Sequence, residues 1–402
     1  MDAKIDIVLN GSRSAAQAPF PAALDVTLGP ERFAAARGEI ASWPDYEPTR
    51  LYHLAALAGE LGFADIAYKD EATRFGLGSF KALGGAYAVL RCLERALRGA
   101  GVREPVTAAD LTSGRYREIL ATITVTSATD GNHGRSVAWG ARLFGCRAVI
   151  FVHGNVSEGR CRAIEAYGAL VERVAGNYDD SVRHAFDVAA REGWFVIQDT
   201  ATRDYRDVPA DITCGYGVIA SEVIEQVERP PTHVIVQAGV GGVASAVCAR
   251  FWQAWGAARP TFIVLEPANA ACVAASLSAG HRVDLSDDTD TIMAGLACGE
   301  VSELAWDVLA TGADAAIVLD DGWAAEGMRR LADPLGADPV IVGGECSGGA
   351  IGALIALSRQ AELCAGLGLD RTSHILVIGT EGATDPAIYQ DIVGRTPEEV
   401  AA

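Results

Sequence analysis

Apolar runs of strand length alternate with stretches of helical period along most of the chain, and glycine turns separate them. Ile66-Ala67-Tyr68-Lys69-Asp70-Glu71 reads as a strand, preceded by a short helix over 55–61 that Gly62 closes. Further strands are predicted over 123–126, 148–152, 170–174 and 194–197, with helices over 135–144, 157–167 and 178–191 between them. The second half repeats this grammar. Strands are expected over 233–237, 261–265, 315–319 and 374–378, and helices over 216–227, 245–255, 321–331 and 347–357. Residues 1–45 read as an N-terminal arm and 94–120 as charged and loop-like. Strict alternation of strand and helix implies parallel sheets joined by right-handed crossovers. The simplest reading is two open parallel-sheet α/β lobes. The larger takes 1–85 plus 195–402, and a smaller inserted lobe takes 86–194.

Against this background Lys81 stands out. It follows the turn Gly76-Leu77-Gly78-Ser79 and Phe80, and it precedes the apolar run Ala82-Leu83-Gly84-Gly85-Ala86. A lysine without polar neighbours loses hydration, which lowers its pKa and frees its amine as a nucleophile toward a carbonyl. The competing reading is a lysine stem snorkelling from a helix start. Ligands of open parallel sheets bind beyond the carboxyl ends of the strands, and three strands end there in unusual loops. These are Thr129-Asp130-Gly131-Asn132-His133-Gly134, Gly239-Val240-Gly241-Gly242 and Gly379-Thr380-Glu381-Gly382. The middle loop joins a strand to a helix start, a place where backbone N–H groups surround one phosphate. It has neither the Lys-Ser/Thr of a P-loop nor the spacing of a dinucleotide fingerprint. Asn132 has a plainer alternative as the side-chain cap of the helix that follows.

Composition narrows the field. A net charge of -19 over 402 residues argues against nucleic-acid and anionic-membrane partners. The nine cysteines are scattered singly, without zinc-type spacing, and read as buried thiols of a cytoplasmic protein. No apolar run reaches membrane-spanning length, and no metal ligand set is expected.

A desolvated lysine, a cup for one phosphate, an asparagine loop and a hydroxyl residue after the last strand together suit pyridoxal phosphate. On these residues the chain resembles the fold-type II, tryptophan synthase β-like pyridoxal enzymes. Within them it is similar to the diaminopropionate ammonia-lyases, over nearly its whole length. Ala128-Thr129-Asp130-Gly131-Asn132-His133-Gly134 and Gln198-Asp199-Thr200, with Tyr205 downstream, are the specific motifs, and Gln237-Ala238-Gly239-Val240-Gly241 matches their phosphate loop.

The resemblance implies the cofactor in the interdomain cleft, with Lys81 as the Schiff-base lysine and Asn132 on the ring hydroxyl. Ala238, Gly239, Val240, Gly241 and Gly242 would cradle the phosphate, and Thr380 would face the ring nitrogen, where a neutral hydroxyl favours elimination. It also implies Lys81 and Asp130 as bases on opposite faces of Cα, so that both enantiomers of 2,3-diaminopropionate react. Asp130 and Asp199 would keep the departing amine an ammonium. The products are pyruvate and two ammonia, by way of an aminoacrylate. The alternative is a serine/threonine dehydratase-type enzyme acting on a hydroxy amino acid. A β-replacement synthase and a non-catalytic homologue stand further off. A homodimer is implied by the same analogy. Two departures bear on the site. Gly78-Ser79 replaces the usual Asn-Ala, and Thr202-Arg203-Asp204 replaces the usual tryptophan and glycine before Tyr205. The second leaves the β-substituent open. Cys272 and Cys298 flank a stretch near the site of the family, as two free thiols or a regulatory disulfide.

Overall fold

A computed structural model describes residues 3–13, 18–129, 131–285 and 289–402. Eleven strands are present among them: β1 (Ile5–Leu9), β2 (Leu51–His53), β3 (Asp65–Asp70), β4 (Thr124–Ala128), β5 (Arg147–His153), β6 (Leu170–Val174), β7 (Phe195–Val196), β8 (His233–Gln237), β9 (Thr261–Pro267), β10 (Ala315–Leu319) and β11 (His374–Gly379). They form a seven-stranded sheet, β1-β10-β9-β8-β11-β3-β2, and a four-stranded sheet, β6-β5-β4-β7.

The chain divides into two compact units. The first is Met1–Pro30, Pro48–Ser79 and Ile219–Ala402; the second is Glu31–Glu47 and Phe80–Val218. Beside the expected 86–194, this second unit takes the Lys81 helix whole, the segment Glu31–Glu47 and the chain as far as Val218. The helix Lys81–Gly99 lies so close to the helix Asn132–Phe144 that a Cβ on Gly85 would come within 2.4 Å of Ser136 Oγ. Its Gly84 likewise abuts Tyr216 from the helix Asp207–Gln226, which passes from the second unit into the first.

In the first unit β8 is buried at every position, as a central parallel strand requires. Ile235, Ile263, Leu265, Ile317, Leu354 and Val377 form the middle of its core. The sheet is mixed at its edges, where β1 and β2 run antiparallel. Part of the expected N-terminal arm is therefore an edge strand. Strand β8 is paired in parallel with β11, with Ile235 opposite Val377, so the loops after both leave the sheet side by side. In the second unit all pairings are parallel, and β4 lies between β5 and β7. Its core is built on Ala128, Val149, Phe151 and Ala185. Part of the 94–120 stretch is helical: the Lys81 helix runs on to Gly99, and short helices follow at Ala108–Thr112 and Arg117–Leu120.

Candidate active site

Lys81 is the first residue of its helix, and its Nζ donates to Asp199 Oδ2 at 2.7 Å. The Phe80 and Tyr216 rings lie over the ammonium at 5.4 and 5.6 Å from their centroids, packed edge-on to each other. Its first turn is pinned: Ser136 Oγ donates to the Lys81 carbonyl at 2.7 Å and accepts from Ala86 N–H at 3.1 Å. Burial pushes the Asp199 carboxyl up, but the Lys81 ammonium, by its charge and its hydrogen bond, outweighs it and holds the group well below the usual carboxylate range. Asp199 is therefore an anion at any working pH.

Asp199 owes its place to its neighbours. Gln198 spans two strand ends, accepting from Ser127 Oγ at 3.1 Å and Ala128 N–H at 3.3 Å and donating to Tyr178 Oη at 2.7 Å. The Tyr205 hydroxyl accepts from Gln198 N–H and donates to the Val196 carbonyl, at 3.0 and 2.9 Å. Thr202 and Tyr205 exchange backbone hydrogen bonds, so the altered 202–204 segment is a closed turn with Arg203 and Asp204 at its exposed tip. The change leaves the mounting of Asp199 intact. His133, which with Asn132 could be read as a helix cap or a ligand contact, is buried. Its Nε2–H donates to the Ile197 carbonyl at 2.8 Å, and burial lowers its pKa, which makes the ring neutral.

The helix after β4 begins at Asn132 itself, three residues earlier than expected. Thr129 does the capping: its hydroxyl accepts from Gly131 and Gly134 N–H at 3.0 and 3.1 Å. The N-cap position itself is Gly131, and Asn132 is the first residue inside the helix. Asp130 lies outside the described residues.

In the first unit the loop after β8 turns through Gly239 (φ 54°) and Gly241 (φ 91°) into the helix Gly242–Trp255. Both lie in the left-handed region that favours glycine. A Cβ on Gly241 would also come within 2.7 Å of the Ala305 methyl. Gln237 clamps the root of the loop, its Nε2 donating to the carbonyls of Cys346 and Ile378 at 2.8 and 3.0 Å. Ala238, Gly239, Val240, Gly241 and Gly242 thus form a backbone cup at a helix N-terminus, the arrangement that binds phosphate. After β11, Thr380 is buried and its hydroxyl has no hydrogen-bond partner among the described residues. A buried unpaired hydroxyl is costly unless a further group satisfies it. The cup and this hydroxyl fit the phosphate and ring nitrogen of pyridoxal phosphate.

Two buried carboxylates were missed. Glu345 starts the helix Glu345–Ser358, and Glu381 Oε1 accepts from Cys346 N–H at 3.4 Å. Nothing local in the sequence marks Glu345, and its position depends on the strand after which its helix packs. Cys272 and Cys298 are free thiols. The Cys272 Sγ–H lies 3.6 Å from the Gly239 carbonyl and 3.7 Å from Glu266 Oε1, so it braces the cup.

Residues 43–379 match the family described as pyridoxal-phosphate dependent enzyme. The chain belongs to this family. It is 39% identical over 367 residues to the diaminopropionate ammonia-lyase of Salmonella typhimurium, covering 87% of this chain and 89% of that one. Among solved structures it is similar to the Escherichia coli diaminopropionate ammonia lyase in complex with D-serine, at 36% identity and a TM-score of 0.88, with 97% of both chains covered. The selenomethionine holo form of that enzyme gives the same TM-score, 0.88, at 36% identity, covering 98% of this chain and 97% of that one. The two α/β sheets are thus those of a fold-type II pyridoxal-phosphate enzyme.

Proposed function

We propose that the chain is a diaminopropionate ammonia-lyase, converting 2,3-diaminopropionate to pyruvate and two ammonia. The observation that carries this is the Lys81–Asp199 contact of 2.7 Å, a standing anion beside the cofactor lysine, in a chain similar to such an enzyme over 87% of its length. Lys81 would carry the cofactor, the 238–242 cup its phosphate, Asn132 its ring hydroxyl and Thr380 its ring nitrogen. When bound, pyridoxal phosphate supplies an electron sink for the carbanion formed at Cα.

The chain's own residues do the rest. The Lys81 amine, once free, takes the Cα proton from one face, and Asp130 serves the other, so both enantiomers react. Asp199 accepts from the ammonium of Lys81 and keeps a negative field that holds the β-amine protonated until it departs as ammonia. A hydroxyl leaving group needs no such anion, which is what separates this reading from a dehydratase. The buried Thr380 hydroxyl would meet the ring nitrogen with a neutral group, where a carboxylate would favour its protonation. We further take the working form to be a cytoplasmic homodimer, an analogy that solution mass and cell fractionation test.

The deciding assay quantifies pyruvate and ammonia from both enantiomers of 2,3-diaminopropionate, from serine and from threonine. Two ammonia per pyruvate from the diamine is expected; a higher kcat/KM on serine would sink the assignment.

A further inference from the structure

The most deeply buried charges of the first unit take no part in this chemistry. Lys69, Glu71, Arg74 and Glu222 are all 0–1% exposed. Lys69 Nζ donates to Glu222 Oε2 at 2.6 Å, the Thr49 carbonyl at 2.8 Å and Gln226 Oε1 at 2.9 Å. Arg74 grips two carboxylates at once, Glu71 at 2.8 and 2.9 Å and Glu222 at 2.7 and 2.8 Å. The Thr49 hydroxyl donates to Glu71 Oε1 at 2.7 Å.

Two cations and two anions balance here, yet well-packed apolar residues often serve stability as well or better. What such a cluster supplies is fixed geometry. Immediately after Arg74 the backbone enters the left-handed region at Phe75, φ 50°, which is costly for a residue with a Cβ; Gly76 at 69° and Gly78 at 77° follow without that cost. A non-glycine residue in the left-handed region persists only where its surroundings over-determine it. The near end of this turn is held by the Arg74 guanidinium. Its far end is held by the Gly78 carbonyl, which accepts from Gly382 N–H at 2.9 Å, and by the bridge of Ser79 with Glu381. Lys81 comes two residues later.

We infer that the Lys69–Glu71–Arg74–Glu222 cluster is a positioning device for Lys81, setting the pose of the strained turn that delivers it. The inference rests on Lys81 being the cofactor lysine. None of the four residues touches the reacting atoms.

The test uses the holoenzyme and two variants. E71Q/R74Q keeps the Lys69–Glu222 pair and the charge balance, and Thr49→Val removes one hydroxyl from the cluster. Amide exchange over 75–80, visible circular dichroism of the cofactor, and kcat and KM per borohydride-trapped site are measured. In the double variant exchange over 75–80 should rise about tenfold or more. The visible dichroism should change, and kcat should fall roughly 10–100-fold with KM within about twofold, as misplacement of a reacting group predicts. Thr49→Val should move every readout the same way by less. Folded variants with wild-type exchange, dichroism and kcat per site would overturn the inference, even with a lowered Tm. Should the double variant fail to fold, Thr49→Val decides on the same readouts. A wild-type protein that borohydride does not trap at Lys81 would overturn the assignment of that lysine itself, and the inference with it.

Discussion

Lys69 and Lys81, twelve positions apart, each donate to a carboxylate, and the molecule treats them in opposite ways. The side chain of Lys69 is wholly buried, while that of Lys81 is 20% exposed. All three donors of the Lys69 ammonium are taken by Thr49, Glu222 and Gln226. Burial lowers its pKa and the carboxylates of Glu71 and Glu222 work against the fall. A lysine sealed on every side cannot reach a carbonyl, however dry its site. Desolvation is thus the wrong discriminator; access is the right one. The sealed lysine belongs to the scaffold, and the open one is left free for the role we propose for it.

Exchanging the two lysines' fates would break this contrast. Lys81→Ala should cost turnover about 10⁴-fold or more, on the scale of losing a covalent catalyst, and abolish the borohydride-sensitive cofactor band. Lys69→Ala leaves Glu222 buried with less charge to offset it and should destabilise the fold by about 3–5 kcal/mol in urea titrations. Its folded molecules should still show the band; absence of the band from folded Lys69→Ala protein would contradict the division of roles.

Next in size comes Asp199→Asn. Removing the anion beside Lys81 should lower kcat roughly 10²–10⁴-fold, read in the pyruvate assay, with cofactor still bound. A wild-type kcat would reduce Asp199 to a structural partner. Asp130→Asn should spare L-substrate turnover more than D-substrate turnover, measured on the separate enantiomers; equal losses would contradict two opposed bases.

The smallest effect concerns Glu222. Burial pushes its carboxyl up, but Arg74 and Lys69 hold it at about 2, below an ordinary value of 4.5. A depressed carboxyl contributes stability that is full above its unfolded value and is lost as pH falls through the folded one. Urea midpoints of the wild type should therefore decline as pH drops from 4.5 toward 2. Glu222→Gln should be less stable at pH 7 and show a flatter decline. A parallel decline in both proteins would place the acid sensitivity elsewhere.

Much of the fold was legible because it is written locally. The helix Ala55–Leu61 and its left-handed Gly62 cap match the reading residue for residue. The helix Asp207–Gln226 begins nine residues before its expected start, with Pro209 in its first turn, where proline is tolerated. Strand β1 escaped notice because its partner, β10, lies some three hundred residues away and five residues carry little pattern alone. The second unit was drawn too narrowly for a similar reason: the glycines that let its helices touch look, in sequence, like ordinary small residues.

The sequence by itself determined the chemistry. Lys81, the asparagine loop, the glycine cup and Asp199 sit in contiguous motifs, and spacing within a motif survives folding. Only the tertiary structure decided how those groups are held. It paired Lys69 with Glu222 across 153 positions and Lys81 with Asp199 across 118. It gave the capping task to Thr129 and left the Thr380 hydroxyl buried and unsatisfied. Charge pairing and solvent access depend on which strand ends meet, and sheet order and register set that; no local pattern encodes it.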